Sequence, residues 1–397
     1  MKVLIISHLY PSSLQPVYGT FVEDQAKELK RQGCEVKVIA PVKSAPFPIN
    51  ILNAKWRTLA GVPLQEERAG ITVYHPRYVS LPRNILFDKT GEFLYQRIRK
   101  LVTEIKKSFD FDLIHAHVAL PGGFAAMKIS KELGTPYMVT IHGEDFFNKI
   151  FLNTRTKEAI QATLQGADKV FLVSERLKRV SDEHLTIAHD KLKVLHNGIN
   201  EMFLEKSDTP KNHFHGDVIK VLSVGRLIEK KGVQYNLKAL SELKEHPFHY
   251  IIAGDGPYRN QLENLTKELG LESKVTFLGS VKPAVVKELM EESNIFCLTS
   301  WDEAFGIVYI EAMASGNAVI GSLGEGAEEI ITEGIDGFLV PTKQVEGIKS
   351  VFQLLFDDSN RMEELGANAV LKVKKSFTWE KNVSEMLKVY QEILNGD

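Results

Sequence analysis

Cysteine is scarce in this chain of 397 residues, which holds only Cys34 and Cys297. They are far apart and lack CxxC or zinc-ligand spacing, so neither a disulfide framework nor a thiolate metal site is indicated, and a reducing compartment is expected. Long apolar runs are also missing. No stretch reaches the roughly 18 uncharged apolar residues of a membrane span, and the apolar run near the N-terminus, Val3 to Ile6, is four residues, too short for the core of a signal peptide. A cytoplasmic protein is expected. The chain contains no GxxxxGK[ST] and no GxGxxG after a strand, which argues against a P-loop nucleotidase and a nicotinamide dinucleotide enzyme. An excess of one charge sign is absent overall, the net charge being −2. That balance conceals an asymmetry: residues 1–200 hold 28 Lys and Arg against 20 Asp and Glu, and residues 201–397 hold 21 against 31. The basic first half is either an ordinary solvated surface or a face for an anionic partner.

What is present is regular. Short apolar runs alternate with amphipathic stretches: KVLIIS, EVKVIAP, FDLIHAH, PYMVTIH and KVFLVS, then IKVLSVGR, HYIIAG, KVTFLG, NIFCLTS and NAVIGS. Continuous apolar strands separated by helices predict an α/β chain with two Rossmann-like, doubly wound parallel-sheet domains. The first spans 1–200 and the second 218–375, joined by a polar linker at 201–217. The C-terminal helix, 376–397, either belongs to the second domain or packs back on the first.

Ligands of such sheets bind beyond the carboxyl ends of the strands, so the residues that follow each run are the candidates. Arg226 and Lys231 follow one strand in VGRLIEKKG, with Gly225 and Gly232 keeping the backbone open; they form either a solvated basic turn or a clamp for a diphosphate. Gly254 follows the next run in IAGDGP. His142 stands at a strand mouth in TIHGED. Asp110 and Asp112 precede their strand and read as a turn, and His115 and His117 lack a third ligand at metal spacing. The helix 92–109 has one apolar side and a basic remainder, so it is either core-facing or in contact with an anionic membrane.

Glu303 and Glu311 sit eight positions apart in DEAFGIVYIEAMASGNAVIGS. On one unbroken helix their side chains would diverge by about 80°. The better reading puts Glu303 in a loop, Gly306 at a helix entrance and Glu311 in the first turns.

Taken in order, GRLIEKKG, IAGDGP, VTFLGSV, EAFGIVYIEAMASGNAVIGS and TEGIDGFLV resemble the C-terminal domain of the retaining group-one glycosyltransferases, which have the GT-B fold of two Rossmann-like domains facing across a cleft. GTFVEDQAKELKRQGCEVKVIAP, FDLIHAHVALPGGFAA, TIHGED and VLHNGIN agree with the first domain of glycosyltransferase family 4. The resemblance implies transfer of a hexose from a nucleotide diphosphate, such as a UDP-sugar, with retention of anomeric configuration and without metal or other cofactor. It implies that Glu311 holds the ribose, that Glu303 contacts the donor sugar, and that the backbone of Phe305, Gly306 and Ile307 meets sugar or diphosphate. Arg226 and Lys231 would stabilise the leaving diphosphate, His142 would lie beside the donor sugar, and Gly19, Gly225 and Gly254 would line the donor site. Two departures stand out: QPVYGTF keeps one loop glycine where the family often has two, and GEGAEEI has Glu325 where many members have glycine. Members building bacterial surface polysaccharides of the teichuronic-acid type are the most similar in the first motif. The expected acceptor is therefore a glycan or lipid-linked sugar at the cytoplasmic face of the membrane, with no nucleic-acid partner. A glycoside hydrolase, a phosphorylase and a non-catalytic binder of nucleotide-sugars are the competing readings.

Overall fold

The computed structural model describes residues 1–45, 54–205 and 218–396. Most of the expected linker, 206–217, lies outside the described residues; its first part, Glu201–Phe203, is a single 3-10 turn. The chain divides into unit 1, Met1–His196 with Trp379–Asp397, and unit 2, Asn197–Thr378.

Unit 1 contains strands β1 (Lys2–Ile6), β2 (Glu35–Ile39), β3 (Val42–Ser44), β4 (Gln65–Arg68), β5 (Ile71–Tyr74), β6 (Arg77–Val79), β7 (Leu113–His117), β8 (Tyr137–Ile141), β9 (Lys169–Leu172) and β10 (Leu192–Val194). Eight of them form one sheet in the order β10-β9-β8-β7-β1-β2-β5-β4, and β3 pairs with β6 separately. Every pair in the main sheet is parallel except β4 with β5. β7 and β8 are buried at every position, as expected of strands covered on both faces. The β4–β5 hairpin turns through Ala69 and Gly70, both at positive φ, the conformation a two-residue hairpin loop needs.

The helix Trp379–Asn395 packs within unit 1. Val383, Met386 and Tyr390 recur at helical spacing and join Val3, Val22, Leu29 and Met138 in one apolar cluster. The Gln25 amide donates to Asn382 Oδ1 at 2.9 Å, and Asn382 Nδ2 donates to the His196 carbonyl at 2.7 Å. The Asp110–Asp112 segment is a helix-to-strand turn between the helix Thr90–Ser108 and β7. Asp110 pairs with Lys106 at 2.7 Å, and Asp112 accepts the Lys2 amide at 2.6 Å.

Unit 2 contains β11 (Ile219–Val224), β12 (Phe248–Ala253), β13 (Val275–Gly279), β14 (Ile295–Cys297), β15 (Ala318–Ser322) and β16 (Phe338–Val340). They form one sheet in the order β13-β12-β11-β14-β15-β16, parallel throughout. The chain steps from β11 outward through β12 and β13, then returns to place β14 on the other side of β11. The loops after β11 and β14 therefore diverge at a topological switch point, where such sheets bind ligands. The ends of β11 and β12 approach so closely that only glycine fits there. Gly254 has φ 143°, and a Cβ on it would stand 1.8 Å from the Gly225 carbonyl oxygen.

Candidate functional site

In unit 2, Gly225, Arg226 and Lys231 follow β11, and Glu303 to Ile307 follow β14. Both loops thus issue from the switch point. The Lys231 ammonium donates to Glu303 Oε2 at 2.5 Å, with the two side chains 20% and 17% exposed. The aliphatic stem of Lys231 lies over Gly225, where a Cβ would stand 3.8 Å from Lys231 Cε. Arg226 is exposed and its guanidinium has no partner among the described residues. One cation is held by a carboxylate and its neighbour is open to an anion.

The helix Ile307–Ala314 begins directly after Gly306, which caps it at φ 89° and ψ 67°. A Cβ on Gly306 would stand 2.5 Å from the Tyr309 ring. The first N–H groups of this helix have no acceptor within it and carry the positive end of its dipole. Phe305 is 2% exposed and its ring packs against Phe377 with centroids 5.9 Å apart. Glu311 is the fifth helical residue, partly buried, one turn beyond the entrance. Tyr309 fastens the first turn to β14's exit: its hydroxyl donates to the Leu298 carbonyl at 2.6 Å and lies 3.1 Å from Ser300 Oγ.

Glu325 is the residue whose part was not readable in the sequence. It is buried, and its Oε2 accepts the Glu303 backbone N–H at 3.0 Å, while the Gly326 N–H donates to the Glu303 carbonyl at 3.2 Å. The 323–326 loop thereby clamps the backbone that carries Glu303. The only signal was the glutamate replacing a glycine.

In unit 1 the switch point lies between β1 and β7. Gly19 precedes the helix Thr20–Arg31 at φ 74°, and a Cβ there would stand 2.4 Å from the Leu9 carbonyl carbon. Its geometry is that of a close backbone approach. His142 follows β8, and its Nε2 is 2.9 Å from His117 Nδ1. Burial drives the imidazoles of His8, His115 and His142 down to about 3, so they are neutral at physiological pH. The same cause pushes the Asp145 carboxyl up to about 7, although it accepts the Ala119 N–H at 2.9 Å. The apolar side of the helix Thr90–Ser108, Leu94, Ile98, Val102 and Ile105, is buried, and Arg97, Arg99 and Lys100 are exposed. Among the described residues there is no group of three or more His, Cys, Asp or Glu suited to a metal ion, and no helix long and apolar enough to cross a membrane.

Two parallel α/β units, each with a switch point, are the fold of the GT-B glycosyltransferases. An Anabaena HepE structure in complex with UDP and glucose has the same fold, with a TM-score of 0.74 at 20% identity over 99% of this chain and 100% of that one. Residues 19–202 match the family described as Glycosyltransferase Family 4, and residues 205–372 match Glycosyl transferases group 1. The chain belongs to these glycosyltransferases. An uncharacterized glycosyltransferase of Methanocaldococcus jannaschii is 28% identical over 98% of both chains. A Bacillus subtilis protein provisionally named as a teichuronic acid biosynthesis glycosyltransferase is 29% identical over 79% of both.

Proposed function

We propose that this glycosyltransferase moves a hexose from a UDP-sugar to a hydroxyl of a lipid-linked or polysaccharide acceptor, with retention and without a metal ion, in the synthesis of a cell-surface polysaccharide. The observation that carries the reading is the Lys231–Glu303 contact beside the unpartnered Arg226 at the β11/β14 switch point. Two cations and a helix N-terminus suit a diphosphate, which gains negative charge as the sugar leaves. On binding, the diphosphate exchanges for Glu303 at Lys231, and the released carboxylate accepts hydroxyls of the sugar. Glu311, one turn into the helix, accepts the ribose hydroxyls. Gly225 and Gly254 let the backbone approach the donor, and the backbone of Phe305, Gly306 and Ile307 meets its sugar or diphosphate. Unit 1 takes the acceptor; Gly19 lies in its first loop, and His142 contacts the donor sugar.

The bond from the anomeric carbon to the diphosphate oxygen breaks, and the acceptor oxygen bonds to that carbon on the same face. The acceptor proton passes to the departing phosphate oxygen. No separate nucleophilic carboxylate is required, and the barrier falls through stabilisation of the leaving group and positioning. The provisional name of the Bacillus subtilis relative supports a polysaccharide product, and the exposed Arg97, Arg99 and Lys100 support peripheral contact with the cytoplasmic face of an anionic membrane.

The test is proton NMR of UDP-sugars with glycan acceptors in the presence of a chelator. UDP release in step with a product of unchanged anomeric configuration is expected. Sugar release from a glycan without any nucleotide would indicate a hydrolase, phosphate-dependent release a phosphorylase, and tight UDP-sugar binding without turnover a binder.

A further inference from the structure

His115 and His117 are two apart on β7, so their side chains leave the same face. Their rings stack with centroids 4.7 Å apart and planes 19° from parallel. His117 meets His142 differently. The nitrogens His117 Nδ1 and His142 Nε2 are 2.9 Å apart, the centroids 5.2 Å apart, and the planes differ by 10°. The two rings therefore lie end to end nearly in one plane, the geometry of an in-plane N–H···N bond. Behind them His115 is anchored at both nitrogens, by Thr140 Oγ1 at 2.7 Å and by the Tyr390 hydroxyl. The stack leaves His117 little freedom.

Burial keeps both joined rings neutral, so their single bond has two possible senses. In either sense His117 Nε2 and His142 Nδ1 remain, both buried and without a partner among the described residues. If His142 donated, the leftover N–H would sit on His117, which is 0% exposed. If His117 donates, the leftover on His117 is a bare lone pair and the N–H falls on His142 Nδ1, an atom equally buried but carried on a residue that is itself partly exposed. A buried N–H without an acceptor is the rarer defect, and an under-used acceptor is tolerated better. An oxygen-bearing ligand at His142 removes the donor defect only in the second sense.

We propose that His117 is a positioning residue for glycosyl transfer: its Nδ1–H donates to His142 Nε2, which fixes the His142 ring and leaves that ring's N–H at Nδ1 for an oxygen of the sugar substrate. This rests on the assignment of His142 to the donor sugar. An asparagine at 117 can keep an amide N–H near the place of Nδ1, whereas a glutamine carries it to the place of Nε2 and a leucine removes it.

The experiment combines long-range proton–nitrogen-15 spectra of His142 in the ligand-free full chain with UDP-glucose and UDP-N-acetylglucosamine turnover by wild type, His117→Asn, His117→Gln and His117→Leu. The wild type is expected to show His142 protonated at Nδ1, and His117→Asn to keep that tautomer and most of kcat. His117→Leu and His117→Gln lose about 10- to 100-fold in kcat, by analogy with removal of the hydrogen-bond partner that orients a metal-bound imidazole, with donor KM little changed. An Nε2-protonated His142 in the wild type would overturn the proposal. So would a folded His117→Leu with wild-type kcat, or equal losses in the asparagine and leucine variants. The tautomer is read without substrate, so a wild type that turns over neither sugar nucleotide contradicts the proposed UDP-hexose donor while the spectra still decide the sense of the bond.

Discussion

At the switch point of unit 2 the polar groups are ion-paired and partly open to water, with Lys231 and Glu303 at 20% and 17% exposure. In unit 1, His115 and His117 are 0% exposed and neutral. The first arrangement pairs a cation with a carboxylate in a place that solvent reaches, where an anionic ligand can compete for the cation. The second has given up its charge to burial, so its nitrogens can only direct hydrogen bonds. On the proposed reading, one unit holds an anion and the other holds a shape.

The comparison breaks most visibly through the backbone. Gly254→Ala puts a Cβ 1.8 Å from the Gly225 oxygen at φ 143°, a clash and a strained conformation together, which cost well above the ~1 kcal/mol of an unstrained glycine replacement. Unit 2 is expected to lose cooperative unfolding in a denaturant titration. A soluble variant with unchanged unfolding would mean that the β11 and β12 ends separate freely.

Next in size is the loss of either cation. Lys231→Ala and Arg226→Ala should each lower turnover roughly 10²-fold or more, as removal of one stabilising donor does in other enzymes. Near-normal turnover in both would remove the diphosphate from this switch point. On the proposed reading the two glutamates divide the donor between them. Glu311→Ala should weaken UDP binding about 10-fold, the size of a lost charge-assisted hydrogen bond, with kcat for bound donor nearly kept, whereas Glu303→Ala should act mainly on kcat. Equal losses of stability and activity in both variants would make them unrelated carboxylates.

The smallest effect sharpens the unit 1 side. His115 is held at about 3 and His117 well below its ordinary 6.5. The unfolded chain therefore binds more protons below about 6.5, and their contribution to stability is full above that pH and drains away as pH falls toward 3. Asp145, raised to about 7, acts oppositely: its contribution is full below about 3.8 and drains as pH rises to 7. The imidazoles of His8 and His142, also held at about 3, act in the same sense, so four imidazoles against one carboxyl leave a net loss of stability as pH falls from 6.5 to 5. Chemical denaturation at pH 7 and pH 5.5 reads it. Equal or greater stability at pH 5.5 would mean that these imidazoles are hydrated.

The sequence made the long parallel strands readable because their apolar runs are continuous: KVLIIS, PYMVTI and IKVLSV became β1, β8 and β11. The β4–β5 hairpin was not, since QEER in β4 has no apolar run, ITVY in β5 is only four residues long, and Ala69–Gly70 is a weak hairpin signal beside Asn-Gly. The loop, glycine and helix order of Glu303, Gly306 and Glu311 was legible from helical period. The Lys231–Glu303 contact was not, because the residues are 72 positions apart and meet only through strand order. His117 was weighed as a metal ligand from its spacing in HAH; its in-plane bond to His142 depends on the register of β7 against β8, which spacing along one strand does not contain. Glu325 was visible as a departure, and only the fold brings its carboxylate to the Glu303 amide.

Calorimetric titration of UDP into the wild type, Arg226→Ala and Lys231→Ala tests the central claim most directly. Binding to the wild type without added metal, weakened at least about 10-fold in each variant by loss of a charge-assisted contact, is the predicted result. Equal affinity in all three proteins would contradict the assignment of the diphosphate to the β11/β14 switch point.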